Sequence, residues 1–285
     1  MSTSTKASID SGDFLSVDGL LDAEERAIRD LVRDYVRTEL APQVGEWYEQ
    51  GSIPSAELAK GHGCAGTSAV AYGIACRELE AVDSGLRSFV SVQGSLAMFA
   101  LYRWGTEEPR SHWLPKMAAG EALGCFGLTE PDAGSDPAST RTTARRAGGD
   151  WVLDGAKMWI INGTFAQVAV VWANTDEGIR GFVVHTDSPG FTANPIHRKL
   201  SLRASVTAEL VFDDLRLTES AAFPEVRGLK GPLSCLNEAR FWVLWGAAGA
   251  ARAYYEEAGP TRWPASSSAN HSPGSSSPSA SWPTW

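Results

Sequence analysis

From Leu20 onward the apolar positions Leu21, Ile28, Leu31, Val32, Tyr35 and Val36 recur at helical intervals, and Asp22 and Glu25 have capping-box spacing at the start. The pattern predicts a helix that Pro42 bends or ends, because proline has no N–H to donate and its ring collides with the preceding turn. A second helical run spans Ser68 to Val82. Past the break Asp83-Ser84-Gly85, a third runs from about Leu86 to Trp104, and both are rich in Ala, Val and Leu, as buried helices are. After Gly120 the texture changes to frequent Thr and Val. Gly148-Gly149-Asp150 and Asp154-Gly155 flank the short apolar piece Trp151–Leu153, which reads as part of a β meander. Further strands are predicted at Val168 to Ala173, Gly181 to His185, Phe191 to Asn194 and Ala208 to Phe212, each bounded by Gly, Pro, Asp or Ser. From Leu233 the period returns to helix, with Leu236, Ala239, Val243, Leu244, Ala247 and Ala250 spaced by threes and fours.

The order helical, then all-β, then helical is that of an α+β chain. It divides into a disordered start (1–17), a helical domain (18–122), a β domain (123–222), the opening of a second helical domain (223–258) and a Ser/Pro-rich tail (259–285). The 285 residues are 43% hydrophobic, enough for a sizeable core. With 34 acidic against 25 basic residues, the net charge of -9 argues against nucleic acid or an anionic membrane as the main partner. Cys64, Cys76, Cys125 and Cys235 show no Cys-x-x-Cys spacing, and the five histidines form no ligand pair, so no metal site or disulfide framework is expected and a reducing cytoplasm fits. Met1–Asp13 is polar and does not read as a secretory signal, and no stretch reaches transmembrane length.

The most specific segment runs from Gly124 to Pro137 and reads GCFGLTEPDAGSDP. Its glycines let backbone amides approach a ring carbonyl and a pyrophosphate, while Thr129 and Ser135 supply hydroxyl donors. Taken alone it is also consistent with a bend after an apolar strand. A second segment, Lys157-Met158-Trp159-Ile160-Ile161-Asn162-Gly163, follows at matching spacing. Together they strongly resemble the two flavin-contacting strands of acyl-CoA dehydrogenases, which implies that fold: an N-terminal helical domain, a middle β-barrel or sandwich domain and a C-terminal helical domain, here truncated. The resemblance implies FAD held by Phe126, Gly127, Leu128, Thr129, Gly134, Ser135, Trp159, Ile160 and Ile161, with the tryptophan flanking the isoalloxazine. Many relatives carry Thr where this chain has Ile161, and the absent hydroxyl leaves only a backbone amide to serve flavin N5.

The segment Arg77–Ser88, with Gly63-Cys64-Ala65-Gly66 and Ser201–Ser205, is similar to glutaryl-CoA dehydrogenases. It implies that Arg87, helped by Ser88 and Glu80, grips the distal carboxylate of a dicarboxylyl-CoA through two parallel hydrogen bonds. A helix-surface salt bridge from Arg87 to Asp83 is the plainer alternative. Leu236, Asn237 and Arg240, with Ser135, resemble the acyl-CoA-contacting residues, although an amphipathic core helix would also carry them. The family also implies oxidation of glutaryl-CoA with decarboxylation to crotonyl-CoA, transfer of electrons to an electron-transfer flavoprotein, and a homotetramer.

Two departures stand out. Between Lys60 and Gly61 the family has more helix and a turn. After Ala258 nothing matches the family's helices or the surroundings of its catalytic glutamate, so no base is assigned and Glu256 and Glu257 are not promoted to that role. Re-read one frame over, with permitted codons, Ser267 to Trp285 can become QFGKPLAGFQLTQRKLADM, which is similar to the family at that point. The tail therefore reads either as a frameshift product or as a Ser/Pro linker carrying Trp263, Trp282 and Trp285. The corresponding functional alternatives to an active enzyme are a truncated remnant that binds FAD or acyl-CoA weakly or not at all, and a β-domain interaction module without flavin.

Overall fold

The computed structural model describes residues 17–50 and 68–258. The polar start, the shortening between Lys60 and Gly61, the Gly63–Gly66 motif and the tail from 259 lie outside the described residues. A short 3-10 turn (Val17–Leu20) leads into α1 (Ala23–Tyr35). Asp22 accepts from the Glu25 amide at 2.8 Å and donates its own N–H to the Glu25 carboxylate at 3.1 Å, forming the expected capping box. Pro42 does not end this helix. The chain passes through a π turn (Val36–Leu40) directly into α2 (Ala41–Gln50), which contains Pro42. The wider turn, in which the Ala41 N–H donates back to the Val36 carbonyl, gives the proline ring room where a regular turn would clash.

Helix α3 (Ala69–Glu80) starts on the cap Ser68, and α4 (Ser84–Ser91) starts on Asp83, whose side chain accepts from the Gly85 amide at 2.6 Å. Asp83-Ser84-Gly85 is thus a cap and first turn, so the third helix begins earlier than its apolar period suggests. It continues through a π stretch (Val92–Met98) into α5 (Phe99–Trp104). Helix α6 (Glu107–Ala118) has no counterpart in the sequence reading, because its Pro109 and Pro115 mask it. Pro109 lies in the first turn, where backbone N–H groups lack intrahelical partners anyway.

The β region is not a simple meander. Its strands are β1 (Gly124–Gly127), β2 (Thr143–Ala147), β3 (Asp150–Ile161), β4 (Val168–Thr175), β5 (Gly178–His185), β6 (Phe191–Pro195) and β7 (Thr207–Leu217). They form one sheet in the order β1-β4-β2-β3-β7-β6, with β5 also on β4. The β1–β4 and β2–β4 pairings are parallel and the others antiparallel. Asp154-Gly155 does not end a strand: β3 runs through it with a register shift between Leu153 and Gly155, a bulge that Gly155 permits at φ 140°.

Strand β4 reads as a continuous apolar run because both faces are buried. Val168, Val170 and Trp172 pack toward Leu101, Trp104 and Trp113 of the helical layer, while Ala169, Val171 and Ala173 pack toward Trp151, Phe182 and Leu210 within the β layer. A third cluster joins Val36, Leu40 and Trp47 to Leu79, Leu86 and Phe89. The architecture is a helical N-terminal domain, a middle β-sheet domain and the long helix α7 (Lys230–Ala258).

Helix α7 lies along α3 on small residues. A β-carbon at Gly249 would come 2.0 Å from the Arg77 carbonyl oxygen, and one at Gly73 would come 2.4 Å from the Trp245 ring. Its buried face carries Cys235, Trp242, Gly246 and Gly249, whereas Val243 and Leu244 of the apolar period are 45% and 69% exposed. Farther along, the buried Glu78 accepts from Arg33 at 2.9 and 3.0 Å and from Arg252 at 3.1 and 2.6 Å, joining α1, α3 and α7. Burial alone would raise this carboxyl, but the two guanidinium groups bring it down to about 2. Among the described residues no helix is long and apolar enough to cross a membrane.

Candidate functional site

Strand β1 and the following loop form one wall of a cavity of about 400 Å³, and the end of β3 forms the adjoining wall. The Glu130 and Ala133 backbones exchange N–H to carbonyl bonds at 3.1 and 3.3 Å, which folds the loop back and leaves Gly134 and Ser135 exposed. On β3 the register shifts between Lys157 and Ile160, and Trp159 takes a left-handed φ of 64°. In a regular strand residues 157 and 159 would face the same side. Here Lys157 is fully buried while the Trp159 ring stands 58% exposed at the cavity.

Of the residues singled out in the two strand motifs, Phe126, Leu128, Thr129, Gly134 and Ser135 line the cavity from the first, and Trp159, Ile160 and Ile161 from the second. Leu236 and Arg240 reach it from α7. Val92, Leu96, Pro137 and Leu233 complete the lining and were missed in the sequence. Pro137 lay inside a quoted motif, and the other three are helix positions whose only signal was their spacing to apolar neighbours. Arg240 is the one ionisable side chain among these lining residues.

Gly127 is buried just behind the wall, where an added β-carbon would meet the Lys157 side chain at 3.2 Å. Asn237 is exposed and accepts a 3.2 Å hydrogen bond from Arg240. Glu80, Arg87 and Ser88 do not line the cavity; Glu80 and Arg87 pair between α3, α4 and α7, and Ser88 is buried on α4. Arg87 pairs through Nε with Glu80 rather than with Asp83, which corrects the surface-bridge alternative, and both side chains are nearly buried. Gly246 of α7 closes over the pair, since a β-carbon there would come 2.8 Å from Glu80 Oε2. Among the described residues nothing engages the two terminal nitrogens of Arg87.

Beneath the cavity lies a buried ion pair. Lys157 Nζ donates to Glu130 Oε1 at 2.7 Å, to the Leu128 carbonyl at 3.2 Å and to the Thr140 hydroxyl at 3.0 Å. Burial would raise the Glu130 carboxyl, but the Lys157 ammonium, the Thr140 hydroxyl and the Thr142 and Arg141 amides hold it down to about 2. Burial pushes Lys157 the other way, below the usual lysine value, against the attraction of Glu130.

Comparison with known proteins gives two adjoining family matches, the acyl-CoA dehydrogenase N-terminal domain over residues 22–121 and the acyl-CoA dehydrogenase middle domain over residues 125–215. An acyl-CoA dehydrogenase of Bacillus subtilis is 32% identical over 254 residues, covering 82% of this chain and 67% of that protein. The mitochondrial short-chain specific acyl-CoA dehydrogenase of Bos taurus is 33% identical over 245 residues, covering 79% of this chain and 60% of its own length. A crystal structure of a glutaryl-CoA dehydrogenase from Mycobacterium smegmatis in complex with FADH2 superposes with a TM-score of 0.82 at 61% identity, covering 85% of this chain and 66% of that one. The chain thus spans about two thirds of the length of these relatives.

Proposed function

The chain belongs to the acyl-CoA dehydrogenase family, and from that membership we propose that its cavity holds FAD beside an acyl-CoA, with glutaryl-CoA as substrate. The observation that carries the reading is the convergence of both strand motifs on one cavity. The residues fit a flavin. Neither the Thr129 nor the Ser135 hydroxyl is engaged by another described residue, and a β-carbon at Gly134 would meet nothing within 4 Å. Free donors, an uncrowded glycine backbone and a half-bare indole suit a flat ring rich in acceptors with a phosphate-bearing tail.

When bound, FAD supplies the ring that accepts a hydride from the acyl β-carbon. The chain's own part is orientation and exclusion of water. Trp159 offers an indole face, Phe126 and Leu128 close the buried side, and Thr129 and Ser135 donate hydrogen bonds. Arg240 places a cation at the α7 side, suited to the anionic CoA portion. Arg87 presents the free edge of its guanidinium, which matches a distal carboxylate in two parallel hydrogen bonds. No carboxylate lines the cavity among the described residues, so the α-proton is assigned to none of them. Decarboxylation to crotonyl-CoA, an electron-transfer flavoprotein as acceptor, a homotetramer and the domain plan 18–122, 123–222 and 223–258 complete the reading.

That no described residue brings a carboxylate to the cavity supports one second reading, binding of FAD and acyl-CoA without turnover. Anaerobic addition of glutaryl-CoA to the FAD-loaded full chain separates the two. Loss of the oxidised-flavin band supports the dehydrogenase, whereas a shifted but unbleached band supports binding alone.

A further inference from the structure

Lys157 and Glu130 belong to the two strand motifs, yet neither reaches the cavity. Their side chains are 0% and 4% exposed. Besides bonding each other and the Thr140 hydroxyl, they tie down backbone behind the wall. Lys157 holds the Leu128 carbonyl, the next residue's amide (Met158) donates to the Thr129 carbonyl at 2.8 Å, and Glu130 accepts from the Thr142 and Arg141 amides at 2.9 and 2.6 Å. The same residue, Lys157, is the last in register before the bulge that turns Trp159 outward. A one-residue slip there would exchange the two side chains between interior and cavity. Replacing a buried ion pair by apolar residues of similar volume is often neutral for stability; what these charged groups add here is the fixing of the Leu128, Arg141 and Thr142 backbone.

We propose that the Lys157–Glu130 pair positions the cofactor wall: it fixes the bulge that presents Trp159 and turns the Leu128 and Thr129 carbonyls inward, leaving the Thr129 hydroxyl for the ligand. The proposal rests on the flavin reading above. Lys157 and Glu130 are positioning residues, acting through Trp159 and Thr129.

The test uses the full chain and FAD. The double variant Lys157→Met with Glu130→Leu removes both charges together with the acceptor of the Arg141 and Thr142 amides, and Arg252→Met weakens the remote Glu78 ion pair as a control. Fluorescence titration gives the FAD affinity, visible circular dichroism the seating of the bound ring, and thermal melting the stability. The expected result is a rise in Kd of about tenfold or more with an altered flavin dichroism in the double variant, and an unchanged Kd in the control at a comparable loss of melting temperature. If the double variant does not melt cooperatively, Glu130→Gln carries the test, with a severalfold rise in Kd expected. A Kd within about twofold of wild type in the variant that folds overturns the positioning role. Wild-type protein that binds no FAD overturns the functional reading and this inference together, an outcome distinct from the former.

Discussion

At Ile161 the cavity wall presents a branched hydrocarbon where the family resemblance places a threonine hydroxyl. Ile161→Thr adds a donor while removing one methyl group's worth of volume, and FAD affinity is expected to rise severalfold in a titration, corresponding to about 1 kcal/mol for one net hydrogen bond. An unchanged affinity would show that this side chain does not face the ring. At Arg87 the prediction is one of selectivity. Arg87→Met should cost glutaryl-CoA about 2–3 kcal/mol of binding, the range for a charge-assisted contact, while butyryl-CoA, which has no distal carboxylate, binds as before. Equal losses for both ligands, measured calorimetrically, would reduce the Arg87–Glu80 pair to a structural one.

At the scale of elements the contact between α7 and α3 is the tightest in the helical part. Gly249→Ala places a methyl against the Arg77 carbonyl, so the helices must separate; a loss of about 1–3 kcal/mol is expected in urea unfolding. No loss would mean that the two helices do not meet backbone to backbone at Gly249. This contact also shows why the helix was legible while its buried face was not. The period of Leu236, Ala239, Val243 and Leu244 marked a helix, but close backbone approach is made by glycine, which carries no hydrophobic signal, so Gly246 and Gly249 face inward and Val243 and Leu244 face water. The strands were legible because Gly, Pro and Asp punctuate them, except at Gly155, where the glycine serves a bulge and not an end. Two prolines conceal helix α6 in the sequence, and a π turn accommodates Pro42 within a helix, both cases in which local geometry overrides a general preference. The cavity's polar and aromatic lining was visible in two motifs, but Val92, Leu96 and Leu233 are ordinary apolar helix positions that only the packing brings to it.

Over the whole molecule, two buried carboxylates set the response to acid. Glu78 and Glu130 are held at about 2 in the folded chain, against about 4.3 for a free glutamate. Folded values below unfolded ones mean that their contribution is complete above the unfolded value and is lost as pH falls through the folded one. Each linkage is worth on the order of 3 kcal/mol, so stability should decline between about pH 5 and pH 2. Glu78→Gln should be less stable at neutral pH and flatter over that window in pH-dependent melting; a parallel decline in variant and wild type would contradict the assignment.

The cavity between β1, the end of β3 and α7 is proposed here as a flavin site. Equilibrium titration of the purified full chain with FAD tests it most directly. The expected result is saturable binding of about one FAD per chain with a perturbed visible spectrum, abolished when Gly134→Val fills the open backbone at the cavity rim. A cooperatively folded chain that leaves excess FAD free would contradict it.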